Sequence, residues 1–186
     1  MSSPGAGVRN AANALSSLRL AIVPLFAYAI VSAQDTIALA LFVFATATDV
    51  VDGYIARRLS ATSRIGAVLD PVADWLIITA AFVGLAATGR IPAWVVVPVV
   101  GRVVLIINGW AYLVGAGQAS VPPSRLSGKI TAWSQSIFVI VVLMGVGRVQ
   151  LPLLGVVLTT ITLVSIMDYA FQASRLAAGA SAAENR

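Results

Sequence analysis

The chain has 186 residues, of which 59% are hydrophobic and 10% charged, with a formal net charge of +5. A water-soluble domain of this size cannot hide so much apolar surface, so lipid must be the solvent for most of it. Cysteine and histidine are both absent, which excludes disulfides, thiolate sites and imidazole chemistry and leaves Asp, Glu, Lys, Tyr or water for any acid–base or metal work.

In chain order, residues 1–12 are small and polar with weak helical preference, suited to the membrane surface or to disorder. Six apolar runs follow, over residues 15–33, 36–57, 66–88, 91–114, 130–147 and 151–174. Each approaches the ~20 residues that a hydrocarbon core requires, and backbone satisfaction in lipid makes them helices. The fold expected is therefore an all-α integral membrane protein, a bundle of six transmembrane helices forming a single membrane-embedded catalytic domain over residues 1–176. The Ala-, Gly- and Ser-rich segment 177–186 reads as a disordered cytoplasmic tail. Short connections at Gln34-Asp35, Gly89-Arg90 and Arg148–Gln150 alternate with longer polar ones at Arg58–Arg64 and Gly115–Lys129. Arg9, Arg19, Arg57, Arg58, Arg64, Arg125, Lys129, Arg175 and Arg186 fall on one side, against Arg90 and Arg148 on the other. That bias places both termini in the cytoplasm, and the cytoplasmic membrane of a bacterium is the expected location. The run ending Val31-Ser32-Ala33 has some look of a cleavable signal peptide, but a retained first span better explains Arg19 as an anchor at its cytoplasmic end. The basic residues are too few and too scattered for a nucleic-acid footprint.

The acids are concentrated. Of seven acidic residues, four stand as Asp49-x-x-Asp52-Gly53-x-x-Ala56-Arg57, then eight residues, then Gly66-x-x-x-Asp70-x-x-x-Asp74. On helices, Asp49 and Asp52 share a face, as do Asp70 and Asp74. Gly53 and Ala56 leave room beside the carboxylates, and Arg57 stands one turn beyond them, within reach of a phosphate. The connection at Arg58–Ser63 allows spans two and three to be antiparallel neighbours, with both carboxylate pairs at similar depth. Such a set suits hard divalent cations, Mg2+ or Mn2+; without them the carboxylates would repel and some would protonate. Solvated headgroup-level acids explain one or two of these residues, not two same-face pairs flanking Gly and Arg. Ionisable groups at membrane depth are usually functional.

These residues resemble the signature of the CDP-alcohol phosphotransferases, D-x2-D-G-x2-A-R-x8-G-x3-D-x3-D, and match it at every specified position with the same gaps. The resemblance implies a six-span fold and a reaction in which an alcohol attacks the β-phosphorus of a CDP-activated lipid and CMP leaves. It implies that Asp49, Asp52, Asp70 and Asp74 hold two Mg2+ or Mn2+ ions, with Asp74 also the catalytic base. Asp49, Asp52, Gly53, Ala56, Arg57 and Gly66 would bind the CDP donor. A homodimer is compatible with the family, although the sequence does not show one.

The acceptor is read from other residues. Arg102, midway along span four, needs an anionic partner or a wet cavity. A salt bridge to one of the aspartates is one reading, and an acceptor phosphate gripped by Arg102, Arg125 and Lys129 is the other. Arg125 and Lys129 also suit simple anchoring of span five, and Asn13 and Arg19 could border the same cavity. Segments Asn13–Arg19, Asp70–Asp74, Ile91–Trp94, Gly101-Arg102 and Gly128-Lys129 are similar to the phosphatidylglycerophosphate synthase subgroup. This similarity implies a CDP-diacylglycerol–glycerol-3-phosphate 3-phosphatidyltransferase. Trp75 and Val103 depart from that pattern, where lysine and an acidic residue are usual, and cardiolipin synthase is the nearest alternative. Asp168 is expected to pair with Arg175 or to cap the bundle, and Trp75, Trp94, Trp110 and Trp133 to pack or sit at interfaces.

A small transporter would place its charges nearer the midplane, commonly within internal repeats, and no repeat is visible. An intramembrane prenyltransferase would show other aspartate spacings. The absence of cysteine permits a direct test of orientation. Ser60→Cys should react with a membrane-impermeant maleimide only from the cytoplasmic side, and labelling of intact cells from outside would overturn the topology.

Overall fold

The computed structural model describes the backbone over residues 4–59, 66–115, 126–145 and 150–184, and side chains over 17–48, 72–109, 126–145 and 150–172. Six helices make up the described chain: α1 (Pro4–Val31), α2 (Asp35–Leu59), α3 (Gly66–Ala87), α4 (Ala93–Gly115), α5 (Leu126–Leu143) and α6 (Leu151–Glu184). Among the described residues, Leu126–Leu143 and Leu151–Gln172 are long and apolar enough to cross a membrane. Shorter apolar helical stretches cover Ser17–Val31, Asp35–Thr48, Val72–Ala87 and Ala93–Gly109.

The helices outrun two sequence expectations. α1 starts at Pro4, within the segment read as a surface or disordered region. Proline is well placed there, because a first-turn N–H needs no partner. α6 continues to Glu184, through the segment 177–186 expected to be disordered. Its alanines are the best helix formers and outweigh the interspersed glycine and serines.

The chain divides into two compact units, residues 1–91 with 139–148, and residues 92–138 with 149–186. In the first, α1 packs against both α2 and α3. The three helices bury stripes at helical spacing: Arg19, Ile22, Phe26 and Ile30 on α1, Ala38, Phe42 and Ala45 on α2, and Ala73, Ile77, Ala81 and Leu85 on α3. Phe26 and Phe42 meet with ring centroids 5.6 Å apart. Gly84 brings α3 close to α1, since a Cβ there would lie 3.1 Å from Ile30 Cγ2.

The ends of α1 and α3 are finished alike. Gln34 N–H bonds Ala29 O and Ala33 N–H bonds Ile30 O; Arg90 N–H bonds Leu85 O and Gly89 N–H bonds Ala86 O. Each is a Schellman cap with its turn residue in the left-handed region, Ala33 at φ 56° and Gly89 at φ 70°. The second cap aims Arg90 at the first turn of α2, where its guanidinium pairs with Asp35 and donates to Ile30 O at 3.3 Å. Arg90 thus ties one end of α3 to the α1–α2 turn, which makes α3 parallel to α1 and antiparallel to α2.

In the second unit α4 packs against α6. Gly155 lets the helices approach, because a Cβ there would lie 3.1 Å from Val95 Cγ2 and 3.3 Å from the Trp94 ring. Small residues serve this purpose where lipid offers no hydrophobic drive between helices. Several hydroxyls are satisfied locally: Thr46, Thr131, Thr160 and Thr162 each donate to the carbonyl four residues back.

The α1–α3 contact is tight enough to test. Gly84→Val should destabilise the purified protein by ~1–3 kcal/mol through overpacking, read as a lower melting temperature in detergent. Gly109→Ala, where nothing lies within 4 Å of the added methyl, should be neutral or slightly stabilising.

Candidate active site

The carboxylate signature occupies two helices of the first unit. Asp49, Asp52, Gly53, Ala56 and Arg57 lie on α2, while Gly66 opens α3 and is followed on that helix by Asp70 and Asp74. Helical backbone at both segments gives the three- and four-residue spacings their meaning. Positions 49, 52 and 56 continue the stripe that Ala38, Phe42 and Ala45 begin, and positions 70 and 74 continue that of Ile77, Ala81 and Leu85. Both stripes belong to helices packed on α1.

The Arg90 tie supplies a common origin for depth. Measured from that end at ~1.5 Å per residue, Asp49 and Asp74 both lie about 20 Å along their helices, and Asp52 and Asp70 both about 25 Å. The two pairs are therefore level. Asp74 is half-buried and has an interaction partner. The side chains of Asp49, Asp52, Gly53, Ala56, Arg57, Gly66 and Asp70 lie outside the described residues. Among the described residues, no group of three or more acidic or metal-ligating side chains stands together.

Arg19 sits on the same level, about 18 Å from the Val31 end of α1. Its side chain is only 2% exposed, which corrects the reading of Arg19 as an interfacial anchor: an anchor keeps its head in water. A buried guanidinium on the face that α2 and α3 share brings cationic charge to the level of the carboxylates. The sequence signal for this was its place on the stripe of Ile22, Phe26 and Ile30. Asn13 lies outside the described side chains.

The donor set itself fits a divalent cation. Four carboxylates and no histidine or cysteine form an all-oxygen set, the preference of Mg2+ and Mn2+.

A sequence profile of the CDP-alcohol phosphatidyltransferases matches residues 9–167. The chain belongs to this family. The match takes in the whole signature and runs from α1 into α6. Among curated relatives, the chain is 33% identical over 145 residues to a CDP-diacylglycerol–glycerol-3-phosphate 3-phosphatidyltransferase of Bacillus subtilis, covering 70% of this chain and 74% of that protein. It is 33% identical over 156 residues to a probable phosphatidylglycerophosphate synthase of Mycobacterium tuberculosis, covering 81% of this chain and 70% of the relative. A fusion protein of Schizosaccharomyces pombe named for CMP-forming cardiolipin synthase and a mitochondrial hydrolase is 38% identical over 101 residues, 54% of this chain and 17% of that one. The CDP-alcohol phosphatidyltransferases are membrane proteins, in keeping with the apolar helices described above.

Of the residues read as acceptor-binding, Arg102 lies on α4 in the second unit and is 9% exposed. Its Nε donates to Ser165 Oγ on α6 at 3.2 Å. Gly128, near the start of α5, lies beside its guanidinium: a Cβ there would be 3.4 Å from Nη2. Lys129 is exposed in the first turn of α5, and Arg125 lies outside the described residues. Asp168 accepts a hydrogen bond from Ser127 Oγ at 2.7 Å and a longer one from Gln172 Nε2 at 3.5 Å; the side chain of Arg175, its expected partner, lies outside the described residues. Sequence reading missed Ser127 and Ser165. The signal for Ser165 was a row of Thr162, Ser165, Asp168 and Gln172 at helical spacing on an otherwise apolar helix.

The burial of Arg19 makes a clear expectation. Arg19→Leu should lower turnover at least ~10-fold while Arg19→Lys retains part of it, if the buried cation serves the carboxylate level. Wild-type turnover in Arg19→Leu would reduce Arg19 to a packing residue.

Proposed function

We propose that this chain transfers the phosphatidyl group of CDP-diacylglycerol to glycerol 3-phosphate and releases CMP, as a six-span membrane enzyme with its site toward the cytoplasm. The observation that carries the reading is the complete carboxylate signature on two level, antiparallel helices of a family member. Similarity to the glycerol-3-phosphate transferase of Bacillus subtilis over 74% of that protein's length supports the choice of acceptor. Residues 1–176 act as one catalytic domain on this reading.

A hydroxyl of glycerol 3-phosphate forms a new bond to the β-phosphorus, and the bond from that phosphorus to the oxygen of CMP breaks. Asp74 takes the proton of the attacking hydroxyl. Asp49, Asp52, Asp70 and Asp74 would hold a pair of Mg2+ or Mn2+ ions, which when bound supply charge neutralisation to the attacking and leaving oxygens. Arg57 adds charge-assisted hydrogen bonds to the pyrophosphate. Gly53, Ala56 and Gly66 leave space for the cytidine and phosphates to lie against backbone. Arg102, Arg125 and Lys129 bind the phosphate of the acceptor, a dianion that would otherwise be poorly held at an apolar boundary.

The similarity to a cardiolipin synthase of Schizosaccharomyces pombe makes phosphatidylglycerol the second acceptor to assay. Purified protein given CDP-diacylglycerol and Mg2+ should release CMP with glycerol 3-phosphate, lose that activity on chelation and regain it on adding Mg2+. Release with phosphatidylglycerol alone would move the assignment to cardiolipin synthesis, and no release with either would overturn it. Asp74→Asn should cost at least ~100-fold in turnover with CDP-diacylglycerol binding largely intact, whereas Asp49→Asn and Asp52→Asn should weaken metal-dependent donor binding as well.

A further inference from the structure

In the second unit the Ser127–Asp168 hydrogen bond ties the start of α5 to α6. The two helices are consecutive apolar spans joined by residues 144–150, so they run in opposite directions away from that tie. Polar side chains continue along both. On α5 they are Thr131 and Gln135, one and two turns beyond Ser127, and on α6 they are Thr162 and Thr159, on the stretch leading back from Asp168. At ~1.5 Å per residue Gln135 lies about 12 Å from the tie and Thr159 about 13.5 Å, so the two are level to within a turn. Gln135 also lies about 13.5 Å from the start of α5 at Leu126, near the middle of a hydrocarbon core of ~30 Å.

Both groups are orphans of the fold. Gln135 is 3% exposed, and among the described residues its Nε2 and Thr159 Oγ1 are buried atoms with no hydrogen-bond partner. Neighbouring hydroxyls behave otherwise. Thr131 donates to Ser127 O at 2.8 Å and Thr162 to Leu158 O at 2.9 Å. Both threonines are fully buried, and each has given its one proton to its own helix while its oxygen keeps a lone pair that can accept. An amide left unpaired in an apolar interior is costly, and buried polar atoms without a protein partner are commonly met by water. The helix spacing agrees with a guest. α4 and α6 approach closely through Gly155, whereas among the described residues α5 comes as near to neither, so side chains rather than backbone span the distance from α5.

We propose that Gln135 and Thr159 hold a water molecule between α5 and α6 at mid-membrane depth. Water suits the site because both hydrogen-bonding roles are needed there. It accepts from the Gln135 amide and the Thr159 hydroxyl, and it donates to the oxygens of Thr162 and Thr131. A site buried this completely admits only a guest of that size. The bridge joins α5 to α6 at a second point beyond the Ser127–Asp168 bond, and supplies polar cohesion where lipid gives no hydrophobic drive between helices.

The test uses the full-length protein in detergent micelles. The side-chain amide of Gln135, identified in NMR spectra by the loss of its signal in Gln135→Met, should show cross-peaks to water in the wild type, and Thr159→Val should weaken them. Gln135→Met keeps the length of the side chain and Thr159→Val its shape. Each should lower the melting temperature by about 2–5 °C. The double variant should lose less than the sum, because either change alone already breaks the bridge. Turnover and both KM values should stay within about twofold. A Gln135 amide without a water cross-peak would overturn the hydration site. So would apolar variants as stable as the wild type or more so, the result expected of atoms left unpaired in a dry interior. A glycerol 3-phosphate KM raised severalfold in Gln135→Met, with that of CDP-diacylglycerol unchanged, would give the site to the acceptor's hydroxyls and overturn water as its guest. The spectra and melting curves need no turnover, so they stand or fall apart from the transferase reading.

Discussion

The register of α1 against α2 and α3 is the constraint on which the rest of the first unit depends. Three contacts set it: the Phe26 and Phe42 rings, Ile30 seated on the bare backbone of Gly84, and Arg90 bound to Asp35 at the common end. Each is short-ranged, so sliding any one helix by a turn, ~5.4 Å, would break two of the three. The same register carries the two carboxylate pairs to one level, 20–25 Å from the tie by helix rise. Packing at one end of the helices thus determines the chemistry available at the other.

An apolar solvent raises the stakes of every polar group. Backbone groups are satisfied by the helices themselves and by Schellman caps at Val31 and Ala87, and hydroxyls such as those of Thr46, Thr131 and Thr162 turn back on their own carbonyls. Groups that do not follow this pattern are informative. Arg19 is buried on the stripe where α1 meets α2 and α3, and Arg102 is held by a serine of another helix. Burying a guanidinium is costly unless an anion or a bound substrate compensates it. A phosphoryl-transfer enzyme at a membrane provides both, carboxylates from the chain and phosphates from its substrates.

On the proposed reading, donor and acceptor chemistry draw on different parts of the chain. The carboxylate signature lies wholly on α2 and α3. Arg102, Gly128 and Lys129 lie on α4 and α5, and α6 supplies the groups that hold Arg102. Such a division lets one family keep its donor reaction while acceptor preference changes through side chains outside the signature, the general pattern by which a fold hosts several specificities.

The sequence by itself determined the all-helical class, the helix positions to within a few residues over most of the chain, and the family. Apolar runs of membrane length admit only one kind of backbone satisfaction, and a fixed pattern of Asp, Gly, Ala and Arg on helices fixes which residues share a face. It misjudged residues 4–12 and 177–184, where helical propensity in small residues was underestimated against their lack of apolar pattern. Only the tertiary structure decided that Arg19 is buried rather than anchored in the headgroups, and that Asp168 meets Ser127 while Ser165 holds Arg102. Those outcomes depend on which helices become neighbours and at what register. Residues 41 and 63 apart in the chain, as Ser127 and Asp168 or Arg102 and Ser165 are, carry no local signal of their pairing.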